Sequence, residues 1–279
     1  MAFPIIHSEE CTIKVGRRKV VYDRTLGDPL KAVILMIHGL GEHKGRYEAL
    51  KEEMARHGLS SYMPDLNGHG KTEGIRGYAS FPLFFQLLDS MVSLIQEKHP
   101  MTPIGLFGHS MGGLLCIRYL QENQKSFYAA SVSSPLLSMA DEKKRRIQQL
   151  RWLMALVPLL TVNSGLQSKD ISRNPSIIRA YEEDPMVHDR ISLALANDLC
   201  RNIPIAFEKV DNLQIPIMVS HGTSDQIVPI EGTLSFFEQL SQGEKTKVLY
   251  EGAFHEVFFD PEYGERMRND IIGWFRRCL

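Results

Sequence analysis

The sequence predicts an α/β fold in which a mostly parallel central sheet carries helices on both faces, with one helical insertion. Three observations predict it. The run KAVILMIHG stays apolar along its length and stops at a glycine, as a strand buried on both sides does. Strand-like and helix-like stretches then alternate down the chain. Near residue 136 the alternation breaks, and it resumes beyond residue 205.

The elements follow in order. CTIKV and KVVYD read as a hairpin around Gly16. After KAVILMIHG comes a helical pattern, RYEALKEEMARHG, closed by Gly58 as a C-cap. SSYMPD reads as a strand and LNGHGKTEG as a glycine-rich loop. FPLFFQLLDSMVSLIQEKH is a long amphipathic helix, PIGLFG a strand, SMGGLLCIRYLQEN a helix and YAASVSS a strand. Residues 136–205 mix helical stretches with loop signals at Asn163–Gly165 and Asn174–Pro175. IPIMVSHG, a helix near 231–241, the strand TKVLYEG and a last helix complete the chain. We read residues 1–279 as one domain, with 136–205 as an insertion above the sheet.

Composition narrows the function. A 279-residue chain with 43% hydrophobic residues can bury a large core. A net charge of −1 provides no overall field to recruit nucleic acid. Cys11, Cys116, Cys200 and Cys278 are far apart and lack metal-ligand spacing, so they are expected to be free, buried thiols in a cytoplasmic protein. The N-terminal stretch MAFPIIHSEECTIK shows no export-signal pattern, and no run approaches the ~18 apolar residues of a membrane span.

Residues 108–112 read Gly-His-Ser-Met-Gly. The pattern G-x-S-x-G is weak alone; here a strand leads into it and a helix leaves it, as a nucleophile elbow of the α/β-hydrolase fold requires. The sharp turn lifts the Ser110 hydroxyl into the open, and the flanking glycines let strand and helix approach. A packed or hydrogen-bonded structural role is expected for His109.

Serine needs a base to take its proton. In this fold the order along the chain is serine, acid, histidine, which leaves His188, His221 and His255. His188 lies in the insertion and His221 closes a strand before any suitable acidic loop. His255 follows the last strand and precedes the last helix, so it is the expected base. Asp225, in the loop after IPIMVSHG, is the expected acid; Asp189, Asp198 and Asp211 precede that strand. Asp260 is expected to cap the final helix.

Acyl transfer also needs N–H groups aimed at the developing oxyanion, each worth about 10²–10³ in rate. The expected donors are the backbone N–H groups of Met111, after the nucleophile, and Leu40, in the loop His38-Gly39-Leu40-Gly41. His38 and His43 stand five apart with no completing ligands, so no metal is assigned. The proposed chemistry needs no cofactor.

The segments HGLGEHKGRY, DLNGHGKTEG, GHSMGG, SRN, DPMVHD, HGTSDQIVP and GAFH occur in the order that resembles the monoacylglycerol lipase and lysophospholipase family of α/β-hydrolases. GHSMGG is shared by many α/β-hydrolases; the first segment and the DPM segment are much more specific. The resemblance implies a helical cap, an apolar acyl tunnel and hydrolysis of a single-chain lipid ester. It assigns Ser110 as nucleophile, Asp225 as acid, His255 as base, and Leu40 and Met111 as oxyanion donors. Thr72 stands where many relatives carry serine.

Within the insertion, KKRR precedes an apolar stretch with Trp152, Leu153, Met154, Leu156 and Val157. Such a segment can rest on an anionic bilayer or cover the acyl pocket. The sequence therefore predicts a serine hydrolase of monoacylglycerol-like esters, and leaves peripheral membrane contact through the cap open beside a purely covering role. Lysophospholipase and short-chain carboxylesterase are the alternatives within the class, and a non-catalytic binding protein the alternative outside it. Headgroup-binding residues and oligomeric state are not assigned.

Overall fold

The chain is described by a computed structural model covering residues 7–149, 156–241 and 243–279. β1 (His7–Val15) and β2 (Arg18–Leu26) pair antiparallel as the expected hairpin. β3 (Ala32–Ile37), β4 (Leu59–Pro64), β5 (Ile104–His109), β6 (Ala129–Ser133), β9 (Ile217–Gly222) and β10 (Lys245–Tyr250) are mutually parallel. The eight strands run in the order β1-β2-β4-β3-β5-β6-β9-β10.

Strand periodicity divides the core. Val33, Leu35 and Ile37 point to the face covered by α2 (Phe81–Lys98) and α3 (Met111–Asn123). Ala32, Ile34 and Met36 point to the face covered by α1 (Glu48–Arg56) and α8 (Gly264–Arg277). With helices on both sides, every residue of β3 is buried, which is why its sequence shows no polar alternation. Between β9 and β10 lies α7 (Ile230–Gln239).

Residues between β6 and β9 hold α4 (Asp141–Gln149), the small ribbon of β7 (Thr161–Asn163) and β8 (Arg190–Ser192), α5 (Pro175–Glu183) and α6 (Leu193–Glu208). α6 buries Leu195, Leu199 and Ala206 in the main core, so this last helix is as much body as cover. Trp152, Leu153 and Met154 lie outside the described residues.

Three local expectations change. Asn174–Pro175 starts α5 and is not a loop: the Asn174 side chain accepts the Ser176 N–H at 3.0 Å, and proline fits the first helical position. Asp260 does not cap α8. Its carboxylate accepts the Glu262 and Tyr263 N–H groups in the preceding turn and pairs with Arg173, 87 residues away in sequence. The cysteines are free, yet only Cys116 is buried; Cys11 sits on the outer strand and Cys278 beside the chain end, where one side meets solvent.

Candidate active site

The parallel strands all end on one side of the sheet, where ligands bind in open α/β folds. Ser110 lies there, between β5 and α3, with φ 56° and ψ −120°. A non-glycine residue in that region is strained by about 1–3 kcal/mol and persists only when its surroundings hold it. Ser110 N–H donates to Ser133 O (2.9 Å), while Ser110 O accepts Gly113, Leu114 and Leu136 N–H. The glycines of the motif are sterically required. A Cβ on Gly112 would sit 2.4 Å from Ile37 O, and one on Gly108 2.5 Å from Gly112 O.

Asp225 and His255 come from adjacent loops. His255 Nδ1 lies 2.6 Å from Asp225 Oδ2. The other carboxylate oxygen, Oδ1, accepts Ile227 N–H (2.8 Å) and Val228 N–H (2.9 Å) in a local Asx turn, which leaves Oδ2 for His255. Ser134 Oγ donates to His255 O at 3.0 Å, which fixes His255 from its backbone side. The ring of His109, the neighbour of Ser110, stands 4.8 Å from the His255 ring and 4.9 Å from Phe258, and its Nδ1 lies 3.2 Å from Ser133 Oγ. His109 thus has the expected packed role, and it also sets the His255 ring against the end of β5.

Burial alone would push the His255 ring down. The charge and hydrogen bond of Asp225, with more distant Glu256 and Glu42, outweigh burial and hold it above the ordinary 6.5. Asp225 is the converse: burial would raise it, but His255 and His221 hold it well below the usual carboxylate range.

The loop after β3 is fixed by groups to which the sequence assigned no role. His38 is fully buried and pushed down to about 3 by burial, so its ring is neutral. Its Nε2 accepts Leu66 N–H (2.9 Å), hence Nδ1 carries the hydrogen and donates to Gly39 O (2.8 Å). In a trans peptide the C=O and the next N–H point in opposite directions, so the Leu40 N–H turns away from His38. Glu42 Oε1 meanwhile accepts Gly39 N–H (2.6 Å) and Tyr47 O–H (2.8 Å). A Cβ on Gly39 would lie 3.2 Å from Ser110 Cβ, so this loop passes directly against the nucleophile.

Arg46 extends the network. Its guanidinium contacts Glu42 and, through both nitrogens, Glu256, the residue after His255. Tyr181 of α5 covers it at 4.7 Å and Phe259 at 5.1 Å. These residues sat in HGLGEHKGRY and beside GAFH; charged residues inside a segment that must be buried were the available signal. His43 and His38 have separate partners: His43 Nε2 meets Asp184 at 2.7 Å. Thr72 Oγ1 accepts Val21 N–H at 3.0 Å, so its departure from serine leaves a hydroxyl doing structural duty.

Leu40, Ser110 and Met111 share a cavity of about 440 Å³. Its walls include Leu136, Met139, Ile191, Leu193 and Leu199, with Asn163 and Gln167 as polar members.

A family model described as serine aminopeptidase, S33, matches residues 28–262. The monoacylglycerol lipase of Paleococcus ferrophilus is 34% identical, with a TM-score of 0.88 over 93% of this chain and 99% of that one. The chain belongs to the S33 family of α/β-hydrolases, together with monoacylglycerol lipases. The monoacylglycerol lipase of Mycolicibacterium smegmatis is 28% identical over 96% of each chain. Phospholipase YtpA of Bacillus subtilis is 29% identical over 83% of this chain and 90% of its own. This family member is a serine hydrolase of the lipase and esterase type.

The expected base, His255, works only when neutral. Because Asp225 raises the His255 value, kcat/KM is expected to fall as pH drops through a midpoint above 6.5. A pH–rate profile with its acid limb centred at or below 6.5 would contradict the electrostatics described above.

Proposed function

We propose that this enzyme hydrolyses the ester bond of single-chain lipids, monoacylglycerol foremost, through an acyl-enzyme on Ser110. The observation that carries the reading is the largely apolar cavity that meets the candidate nucleophile. At about 440 Å³ it falls in the ~300–1,000 Å³ range that encloses small ligands.

In the proposed cycle His255 Nε2 takes the Ser110 hydroxyl proton as the oxygen attacks the ester carbonyl. The Leu40 and Met111 N–H groups receive the developing oxyanion. Met111 is the first residue of α3, where no carbonyl one turn back within the helix can accept its N–H. The imidazolium then protonates the departing alcohol. Water repeats the sequence on the acyl-enzyme: His255 accepts its proton and returns it to Ser110 as the fatty acid leaves. Asp225 keeps Nδ1–H in place and stabilises the imidazolium.

The similarity to a Bacillus phospholipase favours lysophospholipids as second candidates. Aminopeptidase chemistry, suggested by the family description, needs a counter-charge for a free amine; Glu142 is the one carboxylate among the described cavity residues. A fluorophosphonate probe is expected to label Ser110 and to leave Ser110→Ala unlabelled. A hydrolysis panel of monoacylglycerols, lysophosphatidylcholine, short synthetic esters and aminoacyl amides is expected to rank medium or long monoacylglycerols first. Turnover confined to acetate and butyrate esters would overturn the substrate, and folded protein that resists the probe would favour a binding role.

Peripheral membrane contact through the insertion is part of the same proposal. Leu156, Val157, Leu159 and Leu160 are exposed, and among the described residues no helix is long and apolar enough to cross a membrane. A lipid substrate reaching the cavity from a bilayer would avoid crossing water. Sedimentation with anionic vesicles is expected to weaken when Trp152 and Leu156 are both changed to serine. Unaltered sedimentation would remove this contact.

A further inference from the structure

His221 closes β9, is completely buried and takes part in no step above. Its Nε2 lies 3.1 Å from Asp225 Oδ2 and 3.1 Å from Val228 O. A carboxylate oxygen and a carbonyl oxygen can only accept, so Nε2 carries a hydrogen in either protonation state of the ring. Its Nδ1 lies 2.8 Å from the Thr233 hydroxyl, on α7. The ring is therefore held at both nitrogens, and one edge of it is aimed at Asp225.

That contact falls on the oxygen that matters. Asp225 Oδ2 is the atom in contact with His255 Nδ1, while Oδ1 is held by two backbone N–H groups. The two oxygens turn together about the Cβ–Cγ bond, so the N–H groups on Oδ1 restrain Oδ2 only indirectly, through that rotation. The His221 Nε2–H, shared between Val228 O and Oδ2 at 3.1 Å each, adds a restraint on that oxygen itself.

We propose that His221 is a positioning residue for the triad acid, its Nε2–H and the Thr233 hydroxyl together locking the Asp225 carboxylate in the plane that His255 needs. This rests on Asp225 being the acid, as proposed above. The two roles are separable because β9 supplies His221 from within the sheet, whereas Asp225 and His255 lie on loops. The charged and titratable groups around the pair are His221 and His255 on Asp225, then His109, Glu256, Glu42 and Arg46 around His255.

The test compares His221→Leu, His221→Gln and Thr233→Val in the full chain, each checked for thermal unfolding. Losing one hydrogen bond to a charged group predicts about a tenfold drop in kcat for His221→Leu, with KM changed by less than about twofold. A carboxylate turned away from His255 raises that ring less, so the acid limb of kcat/KM should move down by about a few tenths of a pH unit. Glutamine places an amide N–H near the position of Nε2, and His221→Gln should recover most of the lost kcat. Thr233→Val leaves the ring in place but unanchored and should lose several-fold, in roughly the same pattern.

Wild-type kcat and an unmoved acid limb in folded His221→Leu would overturn the proposal, as would His221→Gln performing no better than His221→Leu. If the leucine variant does not fold, Thr233→Val decides: unchanged kcat and acid limb overturn it. Asp225→Ala separates the two readings. Should that variant remain active, the assignment of the acid fails; should it be inactive while the His221 and Thr233 variants behave as wild type, only the positioning role fails.

Discussion

One buried hydrogen bond organises the site: His255 Nδ1 to Asp225 Oδ2, 2.6 Å long, between side chains almost sealed from water. Burial penalises the charged form of each partner, so neither charge is tolerable there without the other. The sheet makes the contact. β9 and β10 pair in parallel up to Gly222 and Tyr250, so the loops that follow leave side by side. They are then stitched together by Thr223 N–H to Tyr250 O, Ser224 N–H to Ala253 O, and Gly252 N–H to Thr223 Oγ1. Asp225 and His255, 30 positions apart, meet because β9 and β10 share a register.

Ser110, the proposed nucleophile, is held differently. Strain at Ser110 is tolerated because β5, β6 and α3 hold its backbone from several sides; α3 packs so close to β5 and β3 that no side chain fits at Gly108 or Gly112. The loop after β3 is pinned by His38 at the Gly39 carbonyl and by Glu42 at the Gly39 N–H, so the peptide to Leu40 has one orientation. Arg46 then ties that loop to the base loop through Glu256, and Tyr181 places the insertion on top. Breaking this buried ionic cluster on one side would strand a charge, which binds its members to a common arrangement.

Much of this was legible in the sequence. The apolar run of β3 and the strand–turn–helix around Ser110 are local patterns, and a fold with a fixed triad order turns the choice of acid and base into elimination. What was hidden depends on contacts between distant residues. Arg46 and Glu256 are 210 positions apart, and charged residues read in isolation suggest solvent. Asp260 before a helix looks like a cap, but Arg173 claims its carboxylate. Asn174–Pro175 looks like a loop until a helix is seen to begin there, since the same residue types serve both purposes. His221 was passed over as a base on its position, and that elimination concealed its contact with Asp225.

The central claim is that the Asp225 carboxylate makes His255 a base, and its most direct measurement is single-turnover and steady-state kinetics of Asp225→Asn. The amide keeps the shape but loses the charge and can stabilise the wrong imidazole tautomer, so kcat should fall on the order of 10⁴-fold while the fold persists. Activity within about tenfold of wild type would show that the buried pair is scaffolding, and that proton transfer from Ser110 follows another route.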